Sequence, residues 1–323
     1  MTTTSDGYFS DVTAAVGRGW NRFWFTPADP LQAALLRIAI GLLAIVHLVS
    51  LSQDLGRWYS REALLSPDAV KKLLAEGGET ANYHYSYLGN FTDADIRYVH
   101  WAAIAAAAAF TLGLVTPISG ALTAAALLAY VHRVPQVAGH LEPVLVFLVL
   151  YLVVANSGAR LSLDRRLFGR RQQPGGELPS TSIAANVGLR LIQVHLAMFY
   201  AMMALTKLYG DAWWDGNAIW YLVARTHSRP VDFSWLRGWG RSGALLINFW
   251  THAIVYYELA FAVLIWNRWA RPLMLALGLI VWASLVVATG YLLFGLAMLL
   301  ASAAFLPREF FAPVRQPQLS SPR

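Results

Sequence analysis

Eight stretches of mostly apolar residues run through the chain, near 31–52, 97–115, 117–134, 141–157, 183–206, 244–266, 269–289 and 291–306. A helix needs roughly 20 such residues to cross about 30 Å of hydrocarbon, where each backbone N–H and C=O must be satisfied within its own segment. The expected fold class is therefore an all-α polytopic membrane protein with about eight transmembrane helices. The last run is short, and the 101–134 region can be divided in another way. Composition agrees with this reading: 57% of the residues are apolar and only 13% charged, about half the charged share of a soluble domain. Disordered, collagen-like, coiled-coil and disulfide-scaffold chains are excluded by the same values. The chain has no Cys, so it can form no disulfide, thiolate nucleophile or thiolate-bound metal. No basic segment precedes an early apolar core, so no cleavable signal peptide is expected.

The formal charge is +7, and all but three of the 25 cationic residues are Arg. Arg18 and Arg22 precede the first run. Arg160, Arg165, Arg166, Arg170 and Arg171 face only Asp164 and Glu177 in the 158–182 connection. Arg268 and Arg271 follow the sixth run, and Arg308, Arg315 and Arg323 follow the eighth. With eight crossings all four clusters fall on one side, which the positive-inside rule makes cytoplasmic. The basic excess then orients a multi-pass protein in the cell membrane and requires no nucleic acid partner. Both termini are expected in the cytoplasm, with the 31–306 transmembrane domain sending segments 53–96 and 207–243 to the outer side. The 307–323 stretch reads as a cytoplasmic tail.

Within 1–30, Val12, Val16, Trp20 and Phe23 share one helical face away from Arg18 and Arg22, the pattern of a helix lying on a membrane surface. The alternative is a disordered tail. Thr26-Pro27-Ala28-Asp29-Pro30 breaks the chain before the first run. The outer segments have ordered composition: Trp213, Trp214, Trp220, Trp235 and Trp239 in one, Tyr83, Tyr85 and Tyr87 in the other. Only Arg170 to Ser182, with Pro174-Gly175-Gly176, reads as a linker. No internal repeat of the kind that builds inverted-repeat transporters is present.

Ionisable residues in a membrane span are costly and are therefore candidate functional positions. Lys207 closes the fifth run, and Gln193, Tyr200 and Lys207 recur every seven residues on one face. Ala197 and Ala204 leave room beside that face. A desolvated Lys loses its proton readily and becomes a usable base; a snorkelling Lys at the interface is the other reading. Glu142 and Glu258 are the carboxylates best placed to enter the bilayer, with His140 next to the first, and Glu258 is expected to pair with Arg37. His252 and Tyr256 share a face at i, i+4 spacing. His47, Arg190 and His195 are given no role. No HExxH or comparable spacing is present and no metal is expected; P-loop, dinucleotide and nucleophile-elbow motifs are also missing.

Arg22-Phe23-Trp24-Phe25-Thr26-Pro27-Ala28-Asp29-Pro30, followed by a span containing Arg37, resembles the start of the HTTM proteins. These are bacterial membrane relatives of vitamin K-dependent gamma-glutamyl carboxylase. Thr206-Lys207-Leu208-Tyr209-Gly210-Asp211-Ala212-Trp213-Trp214 is similar to the family's Lys-Leu-x-x-x-Trp element. Gly139-His140, ahead of a span ending in Asn156-Ser157-Gly158-Ala159-Arg160-Leu161-Ser162-Leu163-Asp164, resembles its other recurrent element. The likeness covers roughly residues 20 to 310.

The resemblance implies an HTTM, gamma-carboxylase-like transmembrane bundle and a lyase that epoxidises a quinone. Lys207 matches the Lys taken as the base that deprotonates a reduced, vitamin K-like quinone. Oxygen then attacks, the resulting alkoxide removes a γ-proton from a substrate Glu, and carbon dioxide adds to the carbanion. His140 matches a His that helps form the pocket, and Gln193, Tyr200, His252, Tyr256 and Glu142 become candidate cofactor-binding residues. The chemistry of that family lies on the outer face, where the charge-based topology independently puts Lys207 and His140. Three differences accompany the likeness. No propeptide-binding extramembrane domain is expected, Thr206 stands where the animal enzyme has a second Lys, and Trp282 stands where a His is expected. A non-enzymatic membrane partner for maturation or export of a secreted peptide is the alternative reading, and a transporter a third. Membrane lipids are expected partners, and nothing in the sequence speaks to oligomeric state.

Overall fold

The computed structural model describes residues 5–78, 85–136, 138–172, 181–224, 230–307 and 310. Tyr83, Glu177, Pro174-Gly175-Gly176, Arg308, Arg315 and Arg323 lie outside the described residues, as do the side chains of Arg170 and Arg171. Among the described residues every regular element is helical. The helices are α1 (Ser5–Phe25), α2 (Leu31–Leu51), α3 (Pro67–Glu76), α4 (Ile96–Leu112), α5 (Thr116–Arg133), α6 (Leu141–Val154) and α7 (Leu163–Gln172). They continue as α8 (Ile183–Lys207), α9 (Asp211–Trp214), α10 (Ala218–Val223), α11 (Arg241–Leu264), α12 (Arg271–Thr289) and α13 (Leu292–Ser302).

Each of the eight apolar runs coincides with a helix. Four of them, α2, α8, α11 and α12, are long and apolar enough to cross a membrane, α4, α6 and α13 are shorter apolar helices, and α5 belongs to neither group. The chain is thus an α-helical protein with membrane-spanning character. The 141–157 run is longer than its helix. Asn156 adopts a left-handed backbone (φ 49°), which ends α6 and starts a 3-10 turn at Ser157–Ala159. Hydrophobic run length does not register such a stop.

The helices share one core, in which α5 packs on α6, α2 on α4, and α11 on α8. Ile40, Phe110, Leu127, Leu145, Leu152, Tyr200, Phe261 and Phe305 are fully buried within it. A second cluster of Ile219, Val223, Leu236, Ile247, Ile254 and Ala288 pins α10 and the 3-10 turn Ser234–Trp239 against α11 and α12. The 207–224 and 230–243 stretches are therefore packed against the bundle, one of the two arrangements, interface belt or packed cap, that their aromatic composition fits.

The N-terminal stretch is helical. Its C-terminal end is fastened to α8, because Asn186 Nδ2 donates to the carbonyls of Phe23 and Trp24, each at 2.8 Å. Phe23 packs on Trp266 and under the Arg190 guanidinium, whereas Val12, Val16 and Trp20 remain exposed.

Two buried arginines hold the connections together. Arg37 donates to the carbonyls of Ser157 (2.5 Å), Leu161 (2.6 Å) and Arg160 (3.4 Å). It does not pair with Glu258 as expected: Arg37 sits at the turn between α4 and α5, whereas Glu258 faces α8. Beside Arg37, Asp164 accepts the backbone N–H groups of Val115 (2.7 Å) and Thr116 (3.0 Å) and the Thr116 hydroxyl (3.1 Å). Partial burial would raise the Asp164 carboxyl, but those donors and the nearby Arg37 charge hold it below the ordinary value. Gly113 (φ 71°) is required in this junction, since a Cβ there would lie 2.9 Å from Ser162 Cα and 3.0 Å from Arg37 Cζ. At the opposite end of the bundle Arg133 donates to the carbonyls of Tyr59 (3.1 Å), Ser60 (2.6 Å) and Leu65 (2.9 Å).

Candidate functional site

Lys207 is the last residue of α8. A helical side chain leans toward the N-terminus of its helix, so the ammonium turns back into the bundle and lies 3.4 Å from the Met203 carbonyl. There it meets both oxygens of Glu258, at 2.8 and 2.9 Å. The Lys207 side chain is 15% exposed and that of Glu258 only 2%. Lys207 also lies 5.2 Å from the Trp213 ring centroid, a cation–π contact that the 211–214 helix supplies. Taking two charges out of water costs several kcal/mol per ion, and only close two-oxygen contact of this kind offsets it.

Two helical turns deeper on the same face, Tyr200 is fully buried. Trp282 Nε1 donates to its hydroxyl at 2.6 Å. Tyr257, the neighbour of Glu258, sets its ring edge-on to Tyr200 at 5.7 Å. Its buried hydroxyl makes no well-formed hydrogen bond to a described residue and packs against Gly278. Trp282 continues to Phe294 (5.3 Å between centroids), and Phe294 to the His140 ring (5.9 Å). A row of contacting rings thus links the Lys207–Glu258 pair to His140 at the start of α6.

The other candidates are not brought to Lys207. Gln193 stands about 21 Å back along α8, where its amide donates to the Ala304 carbonyl at 2.6 Å and its oxygen accepts from Arg190 at 2.8 Å. Tyr256 is 67% exposed, because it lies about 200° round α11 from Glu258. His252 bonds to the Asn248 carbonyl at 2.9 Å and sits against the turn at Gly216. Glu142 lies 3.3 Å from His47, both nearly buried, between α2 and α6. A further polar cluster lies near that pair: His100 bonds to the Tyr130 hydroxyl (2.6 Å) and the Ser52 hydroxyl (3.0 Å). Among the described residues no three His, Asp or Glu side chains converge as a metal would need.

Glu258 and Trp282 are the members of the site that spacing along the chain does not assign. A signal for Glu258 was present, since one Lys stands at the end of an apolar run, only two carboxylates lie within such runs, and a buried Lys requires a counter-charge. No signal in the chain links Trp282 to Tyr200, which lies 82 residues earlier. Comparison with protein-family models, curated proteins and solved structures finds no match to this chain.

Proposed function

We propose that the protein is an eight-span, HTTM-like membrane enzyme of the gamma-carboxylase kind, in which Lys207 deprotonates a reduced, lipid-soluble quinone at the outer face. The observation that carries this reading is the two-oxygen contact between Lys207 and Glu258 beside the Trp213 ring. In a low-dielectric site the ionised pair and the neutral pair, amine plus carboxylic acid, differ far less in energy than they do in water. A proton that moves along the 2.8 Å contact from Nζ to Glu258 leaves a neutral amine, which accepts the next proton from a ring hydroxyl. Glu258 thus acts on Lys207 and not on the ligand.

The residues present suit such a ligand. Lys207 offers the base, Trp213 a half-buried ring beside it, and the buried Tyr200, Tyr257 and Trp282 rings form an apolar wall beneath it. The quinone, when bound, supplies an acidic hydroxyl and, with oxygen and carbon dioxide, the oxidative chemistry of the resembled family. Placement of the 211–214 helix over Lys207 limits the access of water to the amine.

The test is anaerobic addition of a reduced naphthoquinone to the purified protein in detergent. The bound ligand is expected to show the absorbance of an ionised ring hydroxyl with the native protein and of a neutral one with Lys207→Met. Identical spectra from both proteins, or no binding to either, overturn the reading and favour a non-enzymatic partner in secreted-peptide maturation.

A further inference from the structure

A groove of about 790 Å³ runs between α2 and α4 at the Arg160 end of the bundle, away from Lys207. Its walls are mostly apolar, with Ile38 and Leu42 from α2, Leu112 from the end of α4 and Leu161 from the turn after α6, and Thr111 and Ser162 also line it. Leu42, Leu112 and Leu161 are each more than half exposed, so the groove opens sideways, toward lipid in a membrane-spanning bundle. Its mouth is basic, lined by Arg160, Arg165 and Arg166. From Leu31 at the mouth to Leu42 at the far end, the rise along α2 is about 16 Å, close to half the roughly 30 Å hydrocarbon thickness. Charge at one end of an apolar slot one leaflet deep matches a lipid with an acidic headgroup, not a soluble anion.

The charges at the mouth are unequally engaged. Arg160 is partly occupied by Asp29, at 3.3 Å. Arg165 donates to the Ala159 carbonyl at 3.1 Å. Arg166 makes no hydrogen bond to any described residue. The nearby Asp164 is held by the start of α5. Net positive charge therefore remains on Arg165 and Arg166, which excludes a zwitterionic headgroup as the preferred occupant.

We propose that this groove binds one anionic phospholipid, its phosphate on Arg165 and Arg166 and one acyl chain along Ile38, Leu42 and Leu112. The site is independent of Lys207 and of any catalytic role.

Thermal unfolding of the full chain in micelles doped with phosphatidylglycerol, phosphatidylcholine or glycerol phosphate tests this. Phosphatidylglycerol alone is expected to raise the unfolding temperature. Arg166→Gln should weaken its apparent affinity about fivefold, the effect of one basic residue at a membrane surface, and Leu42→Trp should weaken it by filling the slot. Equal stabilisation by phosphatidylcholine would show that headgroup charge is not read. Equal stabilisation by glycerol phosphate would reveal a soluble-anion site, and unchanged affinity in both variants would show that the lipid binds elsewhere. Each of these three results overturns the proposal.

Discussion

Replacing Lys207 by Met leaves the Glu258 carboxylate, 2% exposed, against an apolar wall with its ammonium partner gone. Such a change is expected to cost about 3–5 kcal/mol, whereas removing both charges together is often neutral or stabilising. Thermal unfolding should therefore rank native protein and the Lys207→Met/Glu258→Leu pair above Lys207→Met alone. If the double variant is as unstable as the single one, the two side chains do not compensate each other. The double variant also separates folding from chemistry, since it should remain folded and yet leave a bound reduced naphthoquinone un-ionised. At this scale the sequence was only half legible. Seven-residue spacing correctly puts Tyr200 and Lys207 on one face, because a helix imposes that periodicity by itself. The partner of Glu258 depends on which helix lies opposite, and no spacing within α11 carries that information. Arg37, the expected partner, meets backbone carbonyls instead.

At the scale of elements, the junction formed by the α4–α5 turn, the turn after α6 and the start of α7 depends on Asp164 as well as on Arg37. Asp164 sits below its ordinary value in the folded protein. A carboxylate shifted in this direction contributes stability above the unfolded value of 3.8, and that contribution is lost as pH falls through the lower, folded value. Lowering the pH from about 5 to about 3 should thus reduce the unfolding temperature more in native protein than in Asp164→Asn, which cannot titrate there. Equal losses would mean that Asp164 does not link this junction to pH. The helices themselves were legible because uninterrupted apolar runs admit little else in lipid. Their ends were not. Val115 and Asn156 take positive φ: the Val115 N–H is held by Asp164, 49 residues on, whereas Asn adopts this conformation readily by itself.

For the whole molecule, the lack of Cys makes every introduced thiol unique. Tyr209, 92% exposed beside Lys207, and Trp269, 78% exposed between α11 and α12, are suited to single replacement by Cys. With eight crossings, a membrane-impermeant maleimide should label Tyr209→Cys in intact cells and Trp269→Cys only after lysis. Labelling of both in intact cells would rule out that arrangement. The charge clusters set only an expectation of sidedness, since Arg is costly to translocate, and the labelling experiment tests it; the packing of the 207–243 segment was readable only as aromatic content. The Arg37 clamp carries a further implication for how the protein is made. Its acceptors at Ser157 and Leu161 are 120 and 124 residues downstream, a delay of roughly 6 to 25 s at about 5–20 residues per second. During that interval α2 has entered the bilayer with a guanidinium that no later segment has yet arrived to receive. Being in the second turn of its helix, Arg37 can reach the headgroups while it waits. Its withdrawal into the protein then marks the moment when the first half of the nascent chain is sealed, and a ribosome stalled before residue 157 would release a product that still displays this cation to quality-control proteases.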